Sequence, residues 1–253
     1  MDRNCGYITV VTAQSQVKPS VALMLSLKRE DPSIEFHLIT RPNIEFGIYL
    51  ELFDGYTIEP NVTVMSVFMM TPFDRTIYID PVSIASSSVR DIWNCCDILP
   101  IYIGEAFDFR GDKINCNQND LLSSSIFYFE QSIEFTDIAN ALNDLTDISA
   151  LNIGILNKSE IPSCRTLELE KHTADLKLTA ALRLLNIPPL ARIPFTDINR
   201  KSNPVLTKDW NDLIALWFNN GNELFVNNHR QIGIVSYHDP AYITTEVIDE
   251  LSR

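Results

Sequence analysis

The chain has 253 residues, 45% of them hydrophobic and 21% charged, with a formal net charge of -13 at pH 7. Such a length and balance suit a soluble globular chain of one large domain or two small ones with a sizeable core, and disfavour disorder. Phosphate backbones are repelled by the acidic surplus, and Lys18, Lys28, Arg29, Arg200 and Lys201 are local spots rather than a stripe, so nucleic-acid binding as the main activity is disfavoured.

No apolar run reaches membrane-spanning length, and the N-terminal MDRNCGYITVV sets Asp2 beside Arg3 ahead of a short apolar stretch. We therefore expect no signal peptide, anchor or transmembrane segment, and a cytoplasmic location. Cys5, Cys95, Cys96, Cys116 and Cys164 are odd in number and lack CxxC spacing. Reduced thiols fit that pattern better than zinc ligation or a disulfide framework.

Taken in order, Tyr7 to Thr12 is a β-branched run that predicts a central strand, followed by a polar loop over Ala13 to Lys18. Ser20 is the expected cap of a helix carrying Val21, Leu23, Met24, Leu25 and Leu27, which stops at Lys28, Arg29 and Asp31-Pro32. Glu35 to Thr40 predicts the next strand, completing a right-handed βαβ unit. The intervening TAQSQVKPS has no glycine, which excludes a dinucleotide fingerprint or a P-loop there and leaves side chains to hold any nucleotide.

Ile44 to Phe53 has helical spacing, and Val62 to Met65 is the expected third strand. Thr76 to Ile79 then predicts a buried strand that delivers Asp80 into Pro81. Asp80 is thus a carboxylate at a strand's C-terminal end, where ligands bind in open α/β sheets, or else the acid of a turn. Further on, a helix is expected over Ser88 to Cys95, a strand over Ile98 to Ile103, and a long loop over Gly104 to Asn119. Ser123 to Phe129 predicts a strand, Phe135 to Leu145 a helix, Leu151 to Leu156 a strand, and Ala174 to Leu185 a buried helix closed by Pro188 and Pro189. Ile193 to Arg200 reads as extended, and Asp209 to Phe218 as an amphipathic helix whose Trp210 and Trp217 suit a core better than a sugar-stacking platform. Gly233 to Tyr237 is the last expected strand, before His238-Asp239-Pro240 and a C-terminal helix.

The order of these segments resembles that of GT-A fold glycosyltransferases, especially the family-8-like enzymes. PFDRTIYIDPVS is similar to their strand and Asp-x-Asp motif, often written YDRVLYLDADT. LLSSSIFYFEQS is similar to FNSGVFYF with a charged residue, IPFTDINRK to their acceptor-side strand, and IVSYHDP to a late strand ending in a metal-binding His. Fold, activity and site then follow as implications. The fold class is α/β, a GT-A-like single domain over residues 1–253 with a mixed, mostly parallel central sheet flanked by helices. Residues 1–103 are the nucleotide-binding half and 104–253 the acceptor-side half.

By the same resemblance the chain transfers a sugar from a nucleoside diphosphate sugar, UDP-linked, to a carbohydrate or other hydroxyl acceptor. The alternative is an inactive GT-A-like binding or scaffolding protein. Asp175 is the implied catalytic residue. Thr12, Ala13, Gln14, Lys18, Arg75, Asp80, Ser124 and Asn199 are the implied donor-binding residues. Arg75 is also placed to form a surface pair with Asp74. Mn²⁺ or Mg²⁺ would sit between Asp80 and His238, with Asp239 a further carboxylate beside them. Three departures bear on this reading. Val82 replaces the second Asp of the motif, Ser123-Ser124-Ser125 replaces Asn-Ser-Gly, and Leu176 follows Asp175 where Gln is usual. An apolar side chain cannot bind a hard cation. No role is assigned to His37, His172 or His229.

Overall fold

A computed structural model of the chain describes residues 4–86, 92–93, 101–107, 125–133, 136–137, 177–178, 191–197, 216–219, 223–226, 229–231, 233–237 and 240–252. The first strand, β1 (Cys5–Val11), passes through a 3-10 turn at Gln14–Gln16 into α1 (Val17–Glu30) and on to β2 (Glu35–Thr40). A second 3-10 segment, Gly47–Leu52, precedes β3 (Gly55–Ile58), and a third runs into the short α2 (Val67–Met70). Then come β4 (Arg75–Ile79), β5 (Ser83–Ala85), β6 (Ile101–Phe107), β7 (Ile126–Glu130) and β8 (Ala191–Asp197). The chain ends through β9 (Leu216–Asn219), β10 (Glu223–Val226), β11 (His229–Arg230), β12 (Ile234–Ser236) and α3 (Thr245–Leu251).

Nine strands form one sheet in the order β3-β2-β1-β4-β7-β6-β8-β12-β5, and β9 to β11 form a separate antiparallel sheet. In the large sheet β1 pairs in parallel with β2 and β4, β2 with β3, and β8 with β6 and β12. Its antiparallel pairs are β4 with β7, β6 with β7, and β5 with β12. The α/β class and the mixed, mostly parallel sheet flanked by helices are therefore as expected. β5 and β12 come from opposite halves of the sequence, so one sheet runs through both.

Strand alternation divides the core into two layers. Tyr7, Val11, Phe36, Leu38, Ile77, Ile79, Ile126 and Tyr128 face the layer that holds Val21, Leu23, Met24 and Leu27 of α1 and Ile248 and Leu251 of α3. Ile8, Val10, Ile39, Tyr78, Phe127 and Phe129 face the other, against Val67 and Phe68 of α2. The strands are apolar on both faces because both are covered. Each large side chain so buried contributes about 1.5–3 kcal/mol. At Gly6 the fit is tight enough to require glycine, because a Cβ there would run into the Phe73 ring.

Several local expectations are corrected. Ala13 to Lys18 is not a loop, since the 3-10 turn enters α1 directly at Val17. Ser20 therefore lies inside the helix, and its hydroxyl donates to Val17 O at 2.8 Å instead of capping. The third strand is Gly55–Ile58, not Val62 to Met65, where the Thr63 N–H donates to Ser66 Oγ at 3.0 Å and bends the chain into a helical turn. The long loop begins later than Gly104, because β6 continues to Phe107 alongside β8. Leu216 to Phe218 is strand rather than helix, as β9 pairs with β10. The expected strand at Leu151 to Leu156 lies outside the described residues. Among the described residues no helix is long and apolar enough to cross a membrane.

Candidate functional site

The order β3-β2-β1-β4 reverses direction between β1 and β4. The chain steps outward from β1 to β2 and β3, then returns to the other side of β1. Such a switch point opens a crevice at the C-terminal ends of its two parallel strands, where ligands bind in open α/β sheets. Thr12 and Ala13 follow β1 there, and Asp80 follows β4. The antiparallel β7 begins beside them, with Asp80 N–H donating to Ser125 O at 2.7 Å. Ser125 adjoins Ser124, which lies outside the described residues.

One Asp80 oxygen, Oδ1, accepts from Val82 N–H at 2.9 Å, the geometry of an Asx turn. The turn reading is thus realised, yet it uses one oxygen only, and among the described residues no group donates to the other. Tyr237 enters from the far side. β12 pairs with β5 through Ser236 and Ser83, and Tyr237 N–H donates to Val82 O at 3.1 Å. Burial, and then the negative charge of Asp80, push the Tyr237 phenol well above its ordinary range, so it stays protonated. His238, the next residue, lies outside the described residues, as do Asp239, Asp175 and Asn199.

Val82 turns inward. It is 4% exposed and belongs to the core layer under α1, so the second motif position is absent in direction as well as in chemistry. Ser83, fully buried beside it, has a hydroxyl with no hydrogen-bond partner among the described residues. Those residues also contain no group of three His, Cys, Asp or Glu side chains able to hold a metal. At the switch point the described residues named above supply one carboxylate, Asp80, which alone is too few ligands for Mn²⁺ or Mg²⁺.

The strand-1 end is closed on itself. Gln16 Oε1 accepts from Thr12 N–H at 2.9 Å, Ala13 N–H at 3.1 Å and Thr12 Oγ1 at 3.3 Å. Gln14 pairs its carboxamide with the Glu45 backbone, donating to O and accepting from N–H, both at 2.9 Å. Lys18 Nζ donates to Thr245 Oγ1 at 2.9 Å, tying α1 to α3. Two residues were not singled out from sequence. Gln16 holds the two backbone donors, and Arg41, just past β2, donates to Thr12 O at 3.1 Å and Val62 O at 3.2 Å. Arg41 brings a guanidinium to the same sheet edge, although nothing in RPNIEF sets it apart from a surface arginine.

Arg75 does not join the group. It opens β4, five residues before Asp80 and about 16 Å away along an extended strand. Its Nε donates to Tyr128 Oη at 2.8 Å, the guanidinium covers the Tyr128 ring, and the Tyr128 hydroxyl donates to Glu130 at 3.0 Å. This network engages the Arg75 guanidinium with Tyr128, at the opposite end of β4 from Asp80. Burial raises the Tyr128 phenol, and its hydrogen bond with Arg75 opposes that rise.

No protein-family model and no curated protein matches the sequence. Among solved structures, the galactosyltransferase LgtC in complex with donor and acceptor sugar analogs is similar at 10% identity, over 98% of this chain and 95% of that one, with a TM-score of 0.48. The inositol-1-phosphate CTP transferase from T. maritima is similar at 10% identity, over 100% and 96%, with a TM-score of 0.46. The glycosyltransferase GlyE of Streptococcus pneumoniae TIGR4 is similar at 14% identity, over 75% of this chain and 45% of that one, with a TM-score of 0.45. This chain thus spans under half of GlyE. At such identities the chemistry of the site rests on this chain's own residues.

Proposed function

We propose that the chain is a GT-A-like, family-8-like nucleotide-sugar protein that transfers a sugar from a UDP-linked donor to a hydroxyl acceptor. What carries the reading is the place of Asp80 at the switch point, with one carboxylate oxygen open beside the ends of β1 and β7. In this reading Asp80 accepts from hydroxyls of the donor, and Arg41 sets positive charge against the diphosphate. As the acceptor oxygen bonds to the anomeric carbon, the diphosphate leaves with the electron pair of the broken bond and takes up the proton that the acceptor hydroxyl loses. Asp175, Ser124 and Asn199 keep the roles the resemblance implies. A divalent cation would require ligands beyond Asp80, His238 first among them.

Binding without transfer, in a scaffolding role, is the second reading. It is favoured by the inward turn of Val82 and by Gln16, which already occupies the Thr12 and Ala13 N–H groups. Calorimetry with UDP, GDP and their sugars, with and without Mn²⁺, tests both when combined with an assay for donor hydrolysis. UDP-sugar binding with slow hydrolysis supports transfer, and binding with none supports the scaffold. No nucleotide binding at millimolar concentration removes both.

A further inference from the structure

The sheet has an open edge at β3, where the molecule is apolar and anionic together. In parallel pairing Tyr56 lies beside Leu38 and Ile58 beside Thr40, so both side chains project on the Leu38 face of the sheet. That face carries the core layer containing Leu38, Phe46 and Phe53. At this edge, however, no further described strand lies beyond β3, and Tyr56 is 51% and Ile58 50% exposed. The preceding 3-10 segment packs Phe46 and Phe53 inward but leaves Ile48 82% and Leu52 45% exposed. Tyr56 and Ile58 are thus presented along this edge, and Ile48 and Leu52 add exposed apolar surface in the segment that leads into it. The backbone is open there as well. Glu59 N–H bonds inward to Thr40 O, and by alternation the N–H and C=O groups of Tyr56 and Ile58 turn away from β2. An exposed edge of this kind is a template for another strand.

Charge decides what kind of strand. Between Arg41 and Arg75 the sequence has no Lys or Arg, while Glu45, Glu51, Asp54, Glu59 and Asp74 fall in that interval. Lys28 reaches Asp54, but among the described residues no cation lies against Glu45, Glu51 or Glu59. A second copy of this chain would set these carboxylates against themselves, because a two-fold interface matches a patch with itself and like charges on facing strands repel. The geometry points to β3 as a docking edge for an extended segment of a partner protein in which Lys or Arg alternates with apolar residues. It adds as a further strand beside β3, with apolar side chains on Tyr56 and Ile58 and a cation against Glu59.

The test is a titration of the full chain with a short end-capped peptide alternating lysine and valine. Two control peptides accompany it, one with glutamate for lysine and one N-methylated on alternate amides. The lysine peptide is expected to bind, to weaken as salt rises, and to slow amide exchange at Tyr56 and Ile58, while neither control binds. Tyr56→Lys and Ile58→Lys, both surface changes, should each weaken binding about tenfold, a loss of ~1.4 kcal/mol, with the thermal melt unchanged. No binding of the lysine peptide, or binding indifferent to both substitutions, overturns the proposal. So does a dimer in sedimentation that Tyr56→Lys dissociates, since the edge would then belong to a second copy.

Discussion

Gln16 is a single buried carboxamide that satisfies three donors at the end of β1, and its loss should be felt beyond its size. Replacing it with Leu removes the acceptor that these donors share, so Gln16→Leu should cost about 1–3 kcal/mol in a urea titration. Gln16→Glu keeps the accepting oxygen and should recover most of that, whereas equal losses in the two variants would contradict the role. His37 supplies a pH dependence. Its Nε2 meets Thr57 Oγ1 at 2.9 Å, and burial lowers its pKa from the ordinary 6.5. The unfolded chain therefore takes up this proton more readily than the folded one. Stability is fully present above 6.5 and falls as pH drops from there toward the folded value. Comparing urea midpoints at about pH 7.5 and about pH 5.5 should show that fall in the native chain and a smaller one in His37→Gln. Little of this was legible in the sequence. Gln14 and Gln16 are two glutamines in one polar stretch, and only the pitch of the 3-10 turn decides which one reaches back to Thr12 and which one reaches Glu45.

At the scale of elements, the turn after β4 separates two consequences of one motif. Asp80 stays at the sheet edge while Val82 packs into the core, so restoring the second carboxylate should not restore a metal ligand. Val82→Asp should instead bury a charge and cost about 3 kcal/mol or more, with no gain in Mn²⁺ affinity. Tight Mn²⁺ binding in a stable Val82→Asp protein would show that the side chain reaches the site. The strands easiest to read were those buried on both faces. β1, β2, β4 and β7 announce themselves as β-branched and aromatic runs, because α1 and α2 cover opposite sides of the sheet. β3 was missed because it is short and exposes its apolar residues. The apolar Val62 to Met65 took its place, although the Thr63 and Ser66 pair turns that stretch into helix. Trp217 has helical spacing for a related reason, since its seven-residue separation from Trp210 says nothing about the β10 partner that makes it strand.

For the molecule as a whole, the switch point gathers what the linear order only suggested. Thr12, Ala13, Asp80, Ser125 and Tyr237 come from four separate strands or their ends, yet hydrogen bonds and strand pairing bring them to one sheet edge. Arg41 joins through its bond to Thr12 O, whereas Arg75 is lost to the opposite end of β4. Sequence could place Asp80 at a strand end, because Pro81 stops the run. It could not reveal that Val82 and Tyr237 share a backbone hydrogen bond, since Tyr237 comes 155 positions after Val82 and only the β5–β12 pairing closes that distance. The central claim is that Asp80 touches a nucleotide-sugar donor, and Asp80→Asn isolates it, because Asn preserves an oxygen for the turn to Val82 while removing the charge. Calorimetry of the native chain and of Asp80→Asn with a UDP-sugar should show binding that weakens about tenfold in the variant at an unchanged melting temperature. Equal affinity in the two proteins, or no binding to either, would contradict it.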